Sequence, residues 1–222
     1  MDRDKKKSEQ TRERIYSIAI RLFQTEGYDE TTMRRIASES ETALGSTYYH
    51  FKNKEEIVLM FYKQSQKDIK LQSNKFNEST PDFKLRLKNI LLYRLESFAK
   101  YKKFLSVLAR NAGDPNHPLS PFSVETKEIR EEAIGMIRDA LATSKLKLKG
   151  ELLYLLPELL WLYQMGIIYF WISDTSKSYE KTKLLISESL DLIFKLIKIS
   201  SFPFFKNILG PMFRIYKVVK TI

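Results

Sequence analysis

The sequence contains no cysteine, which excludes disulfide bonds and thiolate metal sites. Glycine and proline are also scarce, with seven of each in 222 residues. Sandwiches and barrels need many short strands separated by turns rich in these two residues, and no strand-like alternation is found here. Leu, Ile, Lys and Glu fill long stretches instead. The composition therefore predicts an all-α protein.

Motifs for enzymatic chemistry are missing as well. The chain has no glycine-rich phosphate loop, no metal-ligand spacing and no nucleophile elbow. Of its two histidines, His50 lies in an aromatic run and His117 in a loop without an obvious carboxylate or nucleophile partner. We therefore expect no enzyme, no metal site and no cofactor. The charged N-terminal residues lack the apolar run of a signal peptide, which predicts a cytoplasmic location.

The net charge of +11 permits a nucleic-acid partner without pointing to one. Residues 1–54 hold 11 Lys/Arg against 9 Asp/Glu, and the remaining residues hold 27 against 18. The excess is spread thinly along the chain. A prediction of DNA binding must therefore depend on where individual residues lie.

Helical periodicity starts in the N-terminal part of the chain. Apolar residues recur there at the spacing of one helix face, at Ile15, Ile18, Ala19, Leu22 and Phe23. Gly27 is expected to end this helix in a left-handed conformation. A second short helix should begin after Thr31 or Thr32 and end near residue 40, and Thr42 should cap a third that ends near residue 49.

Longer helices are expected after residue 53. The sequence Asn53-Lys-Glu-Glu56 predicts an Asn-capped form of the capping box, at the start of a helix that reaches about residue 77. Ser120 should cap another helix whose first residue is Pro121 and which ends near residue 144. The other helices are expected at about 82–102, 103–112, 151–174 and 178–199, with a last segment from Pro203. The total is about nine or ten helices.

Two short helices joined by a tight turn suggest a helix-turn-helix. On the second of them, Ala43, Thr47 and Phe51 share a face that should pack inward. Leu44, Gly45 and Tyr48 form the adjoining face, which has no obvious apolar partner nearby. Small residues that allow close approach of the backbone, with aromatic hydroxyls and lysines around them, are typical of a helix that lies in the DNA major groove.

The stretch "RERIYSIAIRLFQTEGYDETTMRRIASESETALGSTYYHFKNKEEI" (12–57) resembles the N-terminal domain of TetR-type transcriptional regulators. The resemblance implies a DNA-binding domain at residues 1–54 and a helical effector-binding and dimerisation domain at residues 55–222. It rests on fixed spacing of Ile15, Ala19, Phe23, Gly27, Thr32, Ile36, Ala37, Gly45, Tyr48, Phe51, Lys54 and Glu55.

One departure lies in the turn between the second and third helices. The family usually has Gly-Val-Ser there, whereas this chain has Glu41-Thr42-Ala43. A non-glycine residue in a left-handed turn lowers the free energy of unfolding by about 1 kcal/mol relative to glycine. Ala43 also lacks a hydroxyl that often contacts phosphate in the family.

Transferred position by position, the resemblance implies a role for each residue on double-stranded DNA. Thr32, Tyr49, His50 and Lys54 would contact the DNA phosphates. Arg34 would reach a base edge. A guanine is the expected base, because its O6 and N7 can accept two hydrogen bonds from one guanidinium group. Leu44, Gly45, Ser46 and Tyr48 would line the major groove, and Ala43 is also expected among the DNA-binding residues. Because Leu44 and Gly45 offer no side-chain hydrogen bond, thymine methyls and DNA shape should contribute more than donor patterns.

Residues 152–172 are apolar on nearly every side, and their length alone suits a membrane span. Glu158 and Gln164 inside the stretch, together with Pro157, argue against this reading. A helix apolar on all sides can equally be buried. The TetR-type layout places a homodimer interface at residues 157–174 and 178–199, and one side of the second helix is apolar, with Leu184, Leu185, Ser189, Leu192 and Leu196. We therefore expect a dimer and no membrane span.

The same layout places an effector among the helices of the larger domain. Candidate wall residues are Tyr62, Tyr93, Phe98, Phe104, Phe122, Trp161, Tyr163, Met165 and Tyr169. They predict an apolar or aromatic small molecule. Two alternatives stay open, a DNA-binding dimer without an effector and a membrane-associated helical protein. The basic, apolar segment 202–222 could lie on an anionic membrane or pack as a tenth helix.

Overall fold

The structure is a computed structural model that describes residues 2–111, 113–148 and 150–200, together with Pro211 and Arg214. Within these residues it has nine α-helices and no strand, which confirms the all-α prediction. The helices are α1 (Asp2–Thr25), α2 (Met33–Glu39), α3 (Leu44–His50), α4 (Lys54–Ser79), α5 (Phe83–Phe98), α6 (Lys102–Asn111), α7 (Lys127–Ala142), α8 (Glu151–Ser173) and α9 (Glu180–Ser200). Apart from residues 211 and 214, the predicted tenth helix lies outside the described residues.

The chain divides into two compact units. The first comprises Met1–Leu71 and Glu96–Ala133, and the second comprises Gln72–Leu95 and Ile134–Ile222. The first unit contains the three-helix head, which is α1 to α3, and also part of α4 and all of α6. The division therefore does not coincide with the predicted domain boundary after residue 54, which remains a prediction.

The head is held together by the apolar face of α1. Ile15, Leu22 and Phe23 are almost completely buried, and Ile36 of α2 is buried as well. Gly27 ends α1 with a φ of +104°, a conformation that suits glycine because it has no Cβ. The head therefore forms from local signals that the periodicity of α1 and this glycine already indicate.

The start of α7 differs from the prediction. Ser120 and Pro121 do not begin a helix, because α7 starts at Lys127. The Thr126 hydroxyl donates to the Ser120 carbonyl at 2.6 Å, and the Arg130 guanidinium donates to the Pro121 carbonyl at 2.7 Å. These two carbonyls are thus bonded to side chains from further along the chain, and the segment folds as turns.

By length and composition alone, α8 could cross a membrane. It is the one helix among the described residues with this property. A core helix of a soluble protein can have the same length and composition, and 39% of the most apolar part of α8 is buried. Pro157 lies inside the helix and is buried. Because proline has no backbone N–H, the carbonyl of the residue four positions earlier receives no helical hydrogen bond from it. Trp161 and Trp171 are buried on the packed side of α8.

The connection between α8 and α9 is fixed by the buried carboxylate of Asp174. One carboxylate oxygen accepts hydrogen bonds from the amide and hydroxyl of Ser176, at 2.8 and 2.6 Å. The other accepts from the amide and hydroxyl of Thr182, at 2.9 and 2.6 Å. Burial alone would raise the pKa of Asp174, but these four hydrogen bonds lower it. Asp174 therefore sets where α9 begins against α8.

Candidate nucleic-acid interface

The outer face of α3 is uncovered by the described residues. Tyr48 is 48% exposed and Leu44 is 37% exposed, and Gly45 between them is exposed as well. On the opposite side, Thr47 and Phe51 are buried, as predicted. Ala43 is exposed, so the expectation that it packs inward is wrong. It precedes the first turn of α3 with an extended backbone, so it does not follow the helical spacing that places Thr47 and Phe51 on the buried side.

The turn between α2 and α3 is held by three hydroxyls. The Thr42 hydroxyl lies 2.9 Å from that of Ser40 and 2.8 Å from that of Thr47. The predicted cap at Thr42 is therefore wrong, because its side chain bonds to these hydroxyls and the N-cap residue of α3 is Ala43. Glu41 adopts a φ of +51°, so the left-handed turn that glycine usually makes is present without glycine.

We expect Glu41→Gly to raise the free energy of unfolding by up to about 1 kcal/mol, because it removes the Cβ strain at positive φ. The gain is reduced by the larger entropy of glycine in the unfolded chain. Urea denaturation at neutral pH measures it. Glu41→Ala is the matched control, since it removes the carboxylate and keeps the Cβ. Equal stability changes in the two variants would contradict the strain argument.

Two adjacent arginines on α2 have different surroundings. Arg35 pairs with Glu26 at 2.9 Å and with Glu39 at 3.0 Å, and Glu39 also pairs with Arg21. Arg34 is exposed and makes no ion pair with any described residue. The guanidinium of Arg34 is therefore available to an external anion or base edge, whereas that of Arg35 stabilises the head.

Thr32 and His50 lie at opposite ends of the two short helices. The Thr32 hydroxyl oxygen accepts from the amide of Arg35 at 3.1 Å and caps α2. Its O–H proton is still able to donate outward. Burial, and then the charge of Arg12, lower the pKa of His50. In the free protein these two effects favour the neutral imidazole, whereas a nearby phosphate would favour the protonated form.

The Lys54 side chain is bonded to the turn that follows α1. Its ammonium donates to the carbonyl of Tyr28 at 2.6 Å and lies 4.4 Å from the centre of the Tyr28 ring. The Tyr28 hydroxyl in turn donates to Glu55 at 2.9 Å. Burial lowers the pKa of Lys54. The sequence did not indicate this contact, because it joins residues about 26 positions apart.

The predicted capping box at the start of α4 is present with one difference. The Asn53 side chain accepts from the amide of Glu56 at 2.9 Å. The Glu56 carboxylate reaches back to the amide of Lys52 at 2.8 Å, one residue earlier than in the usual box. These two hydrogen bonds fix the backbone of Lys52 and Lys54 at the start of α4.

The structure places all the predicted DNA-binding residues in the first unit, but it divides the predicted effector-wall residues. Phe104 is buried in an aromatic cluster with Phe23, Tyr28 and Phe61, and Phe98 contacts Phe61. The first unit thus holds Tyr62, Phe98, Phe104 and Phe122, and the second holds Tyr93, Trp161, Tyr163, Met165 and Tyr169.

A small cavity lies within the second unit, and its walls are almost entirely apolar. It is lined by Leu87, Ile90, Leu91, Ile137, Leu160, Tyr163, Gln164 and Leu190. Gln164 is buried, and its amide nitrogen has no hydrogen-bond partner among the described residues. Tyr163 is the one predicted wall residue that lines this cavity, and its hydroxyl lies 2.7 Å from that of Ser189. Among the described residues, no group of His, Asp and Glu could hold a metal ion.

Comparison with known proteins agrees with this geometry. Residues 15–60 match the tetR family of bacterial regulatory proteins, and residues 86–213, more than half of the chain, match the tetracyclin repressor-like C-terminal domain. The chain belongs to the TetR family. Over 94 residues it is 30% identical to the transcriptional regulator AcrR of Shigella flexneri, and over 102 residues 33% identical to YerO of Bacillus subtilis. These matches span 42% and 44% of this TetR-family chain but only 44% and 34% of the relatives.

Solved TetR-family structures share the fold. A regulator from Syntrophomonas wolfei superposes with a TM-score of 0.64 at 18% identity, covering 83% of this chain and 95% of that one. The FadR repressor of Thermus thermophilus, solved in complex with lauroyl-CoA, gives a TM-score of 0.60 at 20% identity and covers 81% and 92%. At these identities the likeness concerns the fold alone.

Proposed function

We propose that the chain is a DNA-binding transcriptional regulator that acts as a homodimer, most simply a cytoplasmic repressor without enzymatic activity. The observation that supports this most strongly is the outer face of α3. Leu44, Gly45 and Tyr48 are exposed on a helix whose other side is buried, and the uncommitted guanidinium of Arg34 lies on the preceding helix. A double helix of DNA supplies both the missing wall and the anionic partner.

The DNA contacts divide into two groups under this proposal. Thr32, Tyr49, His50 and Lys54 bind phosphates. Tyr49 suits this role because it is 81% exposed on the rim of the α3 face. The Lys54 ammonium has three N–H groups, and the Tyr28 carbonyl fixes its position while leaving a donor for phosphate. Arg34 reads a base edge, and the face of α3 with Ala43 and Ser46 lies in the major groove.

The dimer is proposed to form through α8 and α9. Four of the five exposed leucines and isoleucines of α9, together with Ser189, recur at alternating spacings of four and three, a pattern that forms one stripe on a helix. The stripe comprises Leu185, Ser189, Leu192, Leu196 and Ile199, and the fifth, Leu184, lies beside it. Leu162, Tyr169 and Phe170 of α8 are exposed as well. Two heads related by a twofold axis would meet successive major grooves, so the operator should be a near-palindrome.

Selection of bound fragments from random DNA, at two salt concentrations, tests the proposal. We expect a near-palindromic motif and an affinity that falls steeply with salt, since each phosphate contact adds about 0.9 to the slope of log K against log salt. Recovery of no motif, or no binding at low salt, would contradict a sequence-specific regulator.

We expect Arg34→Ala and Lys54→Met to weaken DNA binding in different ways. Loss of Arg34 should cost about 1–3 kcal/mol on the operator and relax the preference at one base pair, because a base-edge contact is lost. Loss of Lys54 should weaken all sequences alike and lower the salt slope by about 1. Fluorescence anisotropy on operator and random DNA measures both. Arg138→Ala, at an exposed position of α7, is the control. Equal losses from Arg34→Ala on both DNAs would exclude base reading.

A small-molecule effector is proposed to bind in the second unit beside Gln164. The cavity there has a volume of about 10 Å³, so α5, α7, α8 and α9 must move apart to admit a ligand. A buried amide donor without a partner favours a ligand with a carbonyl or similar acceptor and an apolar body. The lauroyl-CoA complex of the Thermus FadR gives one example of an acyl ligand in a relative of this fold. A regulator without an effector is the remaining alternative, and it predicts that no such ligand changes DNA affinity.

We expect Gln164→Met to raise the free energy of unfolding by about 1 kcal/mol, because it removes a buried donor that has no partner and keeps an unbranched side chain. Urea denaturation measures this change. The variant should also lose the response of DNA binding to an apolar ketone such as 2-nonanone. Nonane, which has no acceptor, is the control ligand. A fall in stability of more than about 1 kcal/mol would show that the amide is satisfied in solution.

A further inference from the structure

The second unit has a larger surface groove, separate from the cavity beside Gln164, with a volume of about 550 Å³. This volume lies within the range of small-molecule sites. The groove is lined by Pro81, Asp82, Phe83, Lys84, Lys145, Leu146, Asp191, Phe194, Lys195 and Lys198. Four lysines and two phenylalanines among these residues give it a basic rim and an aromatic floor.

The aromatic floor is formed by α5 and α9. Phe83 of α5 is only 2% exposed, and its ring centre lies 5.8 Å from that of Phe194 of α9. A ligand with an apolar ring or chain would therefore contact Phe194, which is half-buried and is held in place by the buried ring of Phe83 behind it.

The walls of the groove are fixed by the buried guanidinium of Arg86. It donates to the carbonyl of Thr80 at 2.5 Å, to that of Ala140 at 2.7 Å and to the hydroxyl of Thr143 at 2.8 Å. The amide of Lys145 donates to the carbonyl of Pro81 at 2.9 Å. These bonds join the ends of α4 and α7 to the start of α5, so this side of the groove is ordered before a ligand arrives. The opposite side is formed by α9.

The charge of the groove favours an anion. The lining has four lysines against two aspartates, which leaves an excess of two positive charges. Asp191 pairs with Lys84, and the Asp82 carboxylate accepts from the amide of Leu85 at 3.2 Å. Lys145 and Lys195 are exposed and make no ion pair with any described residue. Residues 201–222 contain four Lys/Arg and no acidic residue, so the charge of that segment does not complement the groove.

We propose that this groove binds a small amphiphilic anion, with phosphate or carboxylate oxygens on Lys145 and Lys195 and an apolar chain or ring against Phe194. The site goes beyond the proposed DNA-binding function, and it needs neither the operator nor the effector cavity.

Isothermal titration calorimetry with octyl phosphate tests the proposal on the full chain. Inorganic phosphate and 1-octanol separate the charge from the apolar contribution, and each should bind at least about tenfold more weakly than octyl phosphate. The double substitution Lys145→Gln with Lys195→Gln should weaken octyl phosphate about five- to tenfold, since each exposed ion pair contributes about 0.2–1 kcal/mol. Phe194→Leu should weaken it while leaving inorganic phosphate unchanged.

The control is Lys181→Gln with Lys183→Gln, which removes the same charge from exposed positions of α9 about 18 Å along the helix from Lys195. It should bind octyl phosphate like the wild type. Equal affinity of wild type and the Lys145/Lys195 variant would overturn the proposal, as would equal affinity for octyl phosphate and inorganic phosphate. On the wild type alone, raising salt should weaken binding, and binding that is unaffected by salt would also overturn it.

Discussion

Replacing Leu192 and Leu196 with glutamate should convert the protein into a monomer and lower its operator affinity by at least about 100-fold. Both side chains are more than half exposed on α9, at 58% and 54%, and lie on the proposed dimer stripe. In a dimer their carboxylates would be buried against apolar partners, which is unfavourable by several kcal/mol for each ion. A monomer has one head and loses the gain from binding two half-sites together.

Analytical ultracentrifugation and operator titration measure the two effects. The matched control is Leu71→Glu, the same change at a residue of α4 that is 65% exposed and lies outside the stripe. It should stay dimeric and bind the operator normally. Because the exposed leucines make few contacts within the chain, the double variant should keep its helical circular dichroism. A dimer that survives the double substitution would place the interface elsewhere.

Gly45→Leu should abolish sequence-specific DNA binding while leaving the fold intact. A Cβ at Gly45 would meet no atom within 4 Å, so the free protein has space for a larger side chain. Leucine is also the better helix former, which leaves stability unchanged or raised by up to about 1 kcal/mol. In the complex, the side chain would separate α3 from the bases. Affinity should fall to the nonspecific level, about 10³-fold or more.

Asn74→Leu provides the control for this substitution, because it adds a leucine at an exposed position of α4 in the second unit. Operator binding by anisotropy and thermal unfolding are measured for both variants. Normal operator binding by Gly45→Leu would show that α3 does not approach the bases closely.

The parts of the fold that could be predicted from the sequence depend on neighbouring residues. Gly27 ends α1, Thr32 caps α2 and Asn53 caps α4, and each signal acts within a few residues. The buried face of α1 follows from helical periodicity in the same way. The exposed face of α3 was predicted because the same spacing showed residues without an apolar partner.

The remaining features depend on contacts between residues distant in sequence. Residue type and periodicity do not distinguish Arg34 from Arg35, and the role of Arg34 came from the family resemblance alone. Only the fold shows that Glu26 and Glu39 pair with Arg35. The late start of α7 follows from the bond between Thr126 and Ser120, which competes with a helix that Pro121 would otherwise begin. The predicted effector-wall residues were chosen by residue type, and the fold divides them between two units.

The central claim is that the face of α3 around Gly45 and Tyr48 is the surface that meets DNA. Backbone amide NMR of the isotope-labelled protein, titrated with its selected operator, tests it most directly. We predict the largest shift changes at residues 44–50 and at Arg34, with residues 83–98 nearly unchanged. Operator binding that shifts amides elsewhere and leaves residues 44–50 at their free positions would contradict the claim.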